Sequence, residues 1–170
     1  MGSKPYPFKE RGSAAALRLA HPLHSTHSAP AGSSKTGKMT KLTEDLIVLL
    51  RQPSICYIAT SMADGSPQLT QTWVDTDGEH VIINSVQTHV KIKNIARDPR
   101  VALAISTRDN PSRYFRVRGR VLEVTTAGAA EHIDVLSQKY VGKPYAWYGG
   151  RDQVRVIIVI EAEKVSSGMG

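Results

Sequence analysis

The chain has 170 residues, of which 41% are hydrophobic and a single one is cysteine; that is enough for one domain with a core, and it excludes an internal disulfide framework. The formal charge of +7 is unevenly spread: residues 1–38 hold six lysines and arginines against Glu10, a net +5, which leaves +2 for residues 39–170. Charge therefore gives no argument for nucleic-acid binding, and no apolar run reaches the ~20 residues of a membrane-spanning helix.

Residues 1–38 are rich in Ser, Ala, Pro and Gly and lack helical or strand periodicity, the mark of a disordered extension or an expression leader. Ala14 to Ala20 is too short for a signal sequence. His21, His24 and His27 share the spacing of a metal site, but nothing nearby completes a ligand set. Met39 opens the domain, expected to span residues 39–170.

Thr43 to Arg51 predicts a helix: Thr43 as N-cap, Glu44 and Asp45 in the first turn, Leu46, Leu49 and Leu50 as an apolar stripe, Pro53 as the stop. Ile55 to Thr60 predicts a strand, and Cys56 within it is expected to be a buried, inert thiol rather than a nucleophile. Ala63 to Ser66 is a hairpin turn. From Gln68 to Val74 the residues alternate, with Leu69, Gln71 and Trp73 on one face and Thr70, Thr72 and Val74 on the other. After Asp75-Thr76-Asp77-Gly78, a third strand runs from His80 to Asn84, followed by a short helix that stops at Pro99.

Val101 to Ser106 predicts a strand, and Arg113 to Thr125 a long one. On the latter Tyr114, Arg116, Arg118, Arg120 and Leu122 share a face, with a possible bulge at Gly119. The three arginines fit a solvated face or an intersubunit ion-pair network better than a ligand site. Thr126 to Val141 predicts a helix, Gly142 to Gln153 an aromatic loop, and Val154 to Ala162 the last strand. That strand is broken by Arg155. Six strands with short helices between them suit a small antiparallel barrel, mainly β with an α+β composition.

The segment from Asn84 to Arg100 is the most informative. Its helix opens with His89, Lys91 and Lys93, although the positive end of a helix favours acidic residues. A phosphate between these cations and the free N–H groups would satisfy both; a solvated basic helix end is the equally weighted alternative. Asn84 and Ser85 either join such a phosphate site or are turn residues.

This segment, with its Arg97-Asp98-Pro99-Arg100 ending, resembles the pyridoxamine-phosphate-oxidase-like split-barrel flavoproteins, most of all the branch that uses the deazaflavin coenzyme F420. Ile55 to Thr60 with Asp64 to Pro67 and Gln71 to Val74, Arg113 to Val121, and Lys139 to Lys143 with Val154 to Val156 resemble the opening hairpin, middle strand and closing elements of the family. The resemblance implies a six-stranded split β-barrel of the FMN-binding type, assembled as a homodimer; the single cysteine is compatible with a reducing, cytoplasmic setting. It implies that Lys91 contacts the phosphate arm of the cofactor. Lys93 and His89 stand where the family is usually basic, often with arginine, and Asn94 either joins them or braces the helix. Gln71, Thr72 and Trp73 match the strand that lines the ring. Tyr145, Trp147, Tyr148 and Arg151 fall in a loop that would wall the substrate pocket or form a surface lid.

No nucleophile elbow, phosphate-binding Walker loop or metal quartet is present in the sequence, so no catalytic side chain is assigned. That pattern suits an oxidoreductase whose cofactor carries the chemistry. The expected activity is hydride transfer between reduced F420 and a small activated alkene, imine or quinone-like acceptor. The alternatives are an FMN-dependent reductase or oxidase of the same fold, and a non-catalytic flavin or tetrapyrrole binder. The substrate-binding C-terminus of true pyridoxamine-phosphate oxidases is not evident.

Overall fold

The computed structural model describes residues 40–169. The expected N-terminal extension and the His21, His24 and His27 cluster lie outside the described residues. Helix α1 spans Glu44–Arg51, and Thr43 caps it as expected, its Oγ1 accepting from Leu46 N at 3.3 Å. Strands β1 (Ile55–Ser61) and β2 (Pro67–Thr72) form the opening hairpin, followed by β3 (Val74–Thr76) and β4 (Val81–Val86). Helix α2 (Val90–Arg97) leads into β5 (Arg100–Ser106) and β6 (Arg113–Thr125), then α3 (Ala129–Val141) and β7 (Arg155–Met169).

The seven strands make one antiparallel sheet in the order β2-β1-β5-β6-β7-β4-β3. Its outermost strands are consecutive in the chain and separated only by Trp73, so the sheet must curl until its edges meet there. This corrects the expected count of six. The run from Gln68 to Val74 does not continue as one strand, because α3 takes hold of Val74. Val74 N donates to Tyr140 Oη at 3.1 Å, and its carbonyl accepts from Lys139 Nζ at 2.6 Å. Trp73 consequently leaves the face of Leu69 and Gln71 and stacks on Tyr140, with ring centroids 5.2 Å apart.

The concave side holds the main core. Ile58, Ile83, Ile105, Val117, Ile158 and Ile160 point into it, and Leu46 and Leu50 of α1 and Ile95 of α2 cover it. Each large side chain removed from water there contributes about 1.5–3 kcal/mol before conformational entropy is subtracted. Helix α3 lies on the convex side of β4 and β7, where Ala129 packs on Ile82 and Ile157. With both faces covered, every residue of β4 is buried. The strand therefore extends through Asn84 and Ser85 to Val86, past its expected end.

Other boundaries moved for local reasons. Helix α3 starts at Ala129 rather than Thr126, behind Gly128 at φ +69°. At Gly119 the β6–β7 register shifts, as the sequence led us to expect, and an added Cβ would lie 2.2 Å from Glu161 O. Beyond that shift β7 keeps pairing with β6, which carries it to Met169.

Candidate functional site

An open groove of about 750 Å³ runs along the seam at Trp73. One wall comes from β2 through Gln71 and Thr72, another from β4 and the start of α2, and a third from α3 and the aromatic loop. The structure thus brings Gln71, Thr72, Trp73, Asn84, Ser85, His89, Lys91, Tyr145 and Tyr148 to one cavity. Lys93 is exposed and does not line it. Asn94 is buried away from it, donating from Nδ2 to Thr60 Oγ1 at 3.0 Å and accepting at Oδ1 from Arg97, which braces α2 on β1. Trp147 and Arg151 stand behind the lining, Trp147 edge-on against Tyr145 and Arg151 over the Trp147 ring.

The electrostatic centre is Lys91. Only 6% of it is exposed, yet its ammonium has no carboxylate partner among the described residues. It donates to Ser85 Oγ at 3.4 Å, a long contact. Burial, and then the nearby Arg155 guanidinium, lower its pKa. His89 caps α2 without a side-chain hydrogen bond to the backbone, and no acidic residue occupies the first turn. Its Nδ1 lies 3.3 Å from Ser85 Oγ, and burial, Lys91 and Arg155 all lower its pKa. A buried cation without a counter-ion is costly, and here three basic groups converge without an acid among the described residues, an arrangement suited to receiving an anion. The N–H groups opening α2 add to it.

Arg155 is the main residue that reading the sequence missed. Its Nε donates to Asn84 Oδ1 at 2.8 Å, and its guanidinium lies over the Tyr145 ring, 5.2 Å from the centroid. The available signal was a lone arginine breaking an otherwise apolar strand. Arg108, another groove residue, lies over the Tyr140 ring at 5.5 Å. Ser54 also lines the groove; its Oγ is buried and has no hydrogen-bond partner among the described residues.

At the other end the lining is aromatic. Trp73 and Tyr140 stack, Tyr145 meets Trp73 edge-on at 6.3 Å, and Tyr148 meets Tyr145 at 5.7 Å. Beneath them Lys139 bridges Leu50 O, Val74 O and Asp75 Oδ1. Burial pushes the Asp75 carboxyl up, but His132 and Lys139 outweigh it and hold the pKa below the usual range. No group of three or more His, Cys, Asp or Glu among the described residues is placed to hold a metal. No helix among them is long and apolar enough to cross a membrane. An anion corner joined to a flat aromatic and amide-lined slot fits a ligand with a planar ring and an acidic arm.

The family model described as pyridoxamine 5'-phosphate oxidase matches residues 42–167. A solved structure of an F420 reductase is 30% identical, covers 74% of this chain and 98% of its own, and superposes with a TM-score of 0.65. A conserved hypothetical protein from Mycobacterium tuberculosis (22% identity, 81% of this chain and 90% of its own, TM-score 0.60) shares the fold. So does a putative pyridoxamine 5'-phosphate oxidase from Listeria innocua (20% identity, 73% and 95%, TM-score 0.56). No curated protein matches. With its barrel covered from end to end by that family model, the chain belongs to the pyridoxamine 5'-phosphate oxidase family.

Proposed function

We propose that the protein is an oxidoreductase that binds coenzyme F420 in the groove and acts on a small organic acceptor. The observation that carries this reading is the buried Lys91, unpaired by any acid among the described residues and flanked by Arg155 and His89. The similarity to an F420 reductase at 30% identity favours the deazaflavin over FMN. The groove residues fit such a group. Lys91, Arg155 and Ser85 would hold the phosphate, and Gln71 and Thr72 would meet the polar edge of the ring. When bound, reduced F420 supplies a hydride.

The chain's own part is to bind and orient. Trp73, Tyr140 and Tyr145 fix the plane in which a ring can lie, and the anion corner fixes its distance along the groove. Tyr148, 84% exposed, stands at the mouth where an acceptor would enter. The homodimer expected from the sequence is part of this reading. Tyr57 and Leu69 are exposed on the convex side of the sheet beside Ala59, Ala102 and Ala104, with Arg116 and Arg118 at the border. A soluble monomer rarely leaves such a patch bare. Leu69→Glu should shift the protein towards monomer in light scattering, and a monomeric wild type would refute the assembly.

Paired fluorescence titrations with F420 and FMN test the cofactor. Tight binding of F420 alone supports the proposal. Preference for FMN would replace it with a flavin reductase or oxidase, binding without turnover of any acceptor would make the protein a carrier, and binding of neither would overturn it.

A further inference from the structure

Arg155 is aimed by a chain of hydrogen bonds that starts outside the groove. Asn84 stands in its middle. Its Oδ1 accepts from Arg155 Nε at 2.8 Å, and its Nδ2 donates to Ala129 O at 2.8 Å. These two bonds decide which end of the amide is oxygen. Exchanging the ends would set N–H against N–H at Arg155 and oxygen against oxygen at Ala129. The second Nδ2 proton is then directed at His132 Nδ1, 3.3 Å away. That nitrogen has to accept, so the proton of a neutral His132 sits on Nε2, which faces Asp75 Oδ2 at 3.8 Å.

We propose that His132 is a positioning residue for the anion corner: as the neutral Nε2–H tautomer it locks Asn84, and Asn84 in turn locks Arg155. An imidazolium carries a proton on both nitrogens and cannot accept at Nδ1. Protonation therefore opposes two donors across 3.3 Å, and Asn84 must move away from His132 or turn and give up both Ala129 and Arg155. The charged groups around the ring are Asp75 of β3, Lys139 of α3 itself, and Arg155 of β7 beyond Asn84. His89, at the far side of the corner, acts with the opposite sign, because its protonation adds charge where an anion binds. The proposal rests on the anion-site reading of the groove, so its test reads Arg155 directly.

The test is nitrogen-15 NMR of the ligand-free full-length protein from about pH 8 to about pH 5, which brackets histidine titration. We expect the Nε2–H tautomer for His132 at the upper end. The Arg155 Nε–H signal, assigned by its loss in Arg155→Lys, should exchange slowly there and become fast with the midpoint of the His132 titration. His132→Asn places a non-titrating oxygen near the Nδ1 position, so it should keep the slow signal throughout. An Nδ1–H tautomer, or an Arg155 signal indifferent to the state of His132, would overturn the proposal. In a His89→Gln background, F420 affinity should fall roughly tenfold as His132 protonates, about the loss of one charged hydrogen bond. His132→Asn should abolish that fall. If neither F420 nor FMN binds, the cofactor reading fails while the NMR result still decides the role of His132.

Discussion

Replacing Lys91 with methionine separates binding from folding. Methionine matches the apolar stem of the side chain as far as Cε and removes the ammonium. In the ligand-free protein Lys91 is 6% exposed, and its ammonium has only a 3.4 Å contact to Ser85 Oγ and is repelled by Arg155. Its removal should leave stability unchanged or raise it, since an uncompensated buried charge costs more than an apolar group of the same shape. A gain of about 1 kcal/mol would appear as a rise of a few degrees in Tm. The same change removes a charge-assisted bond to a phosphate, worth about 1.5–3 kcal/mol, so F420 should bind roughly 10- to 150-fold more weakly. Stability should also differ with alkaline pH. The folded-state pKa of Lys91 lies below its ordinary value of 10.5, so the folded protein loses this proton first. Burial strain is thus carried in full below the folded pKa and is relieved as pH rises through it towards 10.5. The wild type should gain on Lys91→Met over that window. Thermal melts and fluorescence titrations of both proteins check each part. A variant that binds F420 as tightly as wild type, or that unfolds many degrees earlier, would refute the assignment of Lys91 to an anion site.

Three further outcomes are expected. Gly119→Ala should cost about 2–3 kcal/mol in chemical denaturation, because its Cβ would meet the Glu161 carbonyl at 2.2 Å and backbone cannot step aside. Asp75→Asn should cost roughly 1–3 kcal/mol by leaving the half-buried Lys139 with carbonyl partners but no counter-charge. It should also flatten the acid limb: the Asp75 carboxyl pKa is lowered on folding, so its contribution is present above the unfolded pKa and is lost as pH falls through the folded one. Burial pushes the Cys56 thiol up to about 12, opposed only weakly by Lys139, so it should resist thiol reagents at neutral pH until the protein is unfolded in denaturant. Rapid labelling of the native protein would contradict its placement in β1.

The elements were legible in the sequence where one physical signal dominated. Thr43 with its acidic first turn located α1, and the lysines of α2 marked an unusual helix start that the structure shows to be the edge of the groove. Gly119 announced the register shift. What remained hidden depended on partners far along the chain. Alternation from Gln68 to Val74 reads as one strand because nothing local reveals that Tyr140 and Lys139 seize the backbone of Val74. Lys91 and Lys93 look equivalent in sequence, yet two residues on a helix point in different directions, so one enters the groove and the other faces water. Arg155 was visible only as an interruption, since its purpose depends on Asn84, 71 residues away.

The meeting of the sheet edges at Trp73 has a consequence for how the family's barrels can vary. Residues 67–76 serve as a clasp: Pro67–Thr72 fasten to β1 and Val74–Thr76 to β4, with one residue between them. Side chains alternate with a period of two, so inserting a single residue would keep one half in register while turning the other inside out. Gln68, Thr70 and Thr72 would change places with Leu69 and Gln71, or Val74 would leave the core. Length in this stretch is therefore far less free than in the loop from Gly142 to Gln153, where residues can be added without disturbing any ladder. Differences in length among relatives should thus accumulate at the mouth of the groove, while the clasp keeps its length.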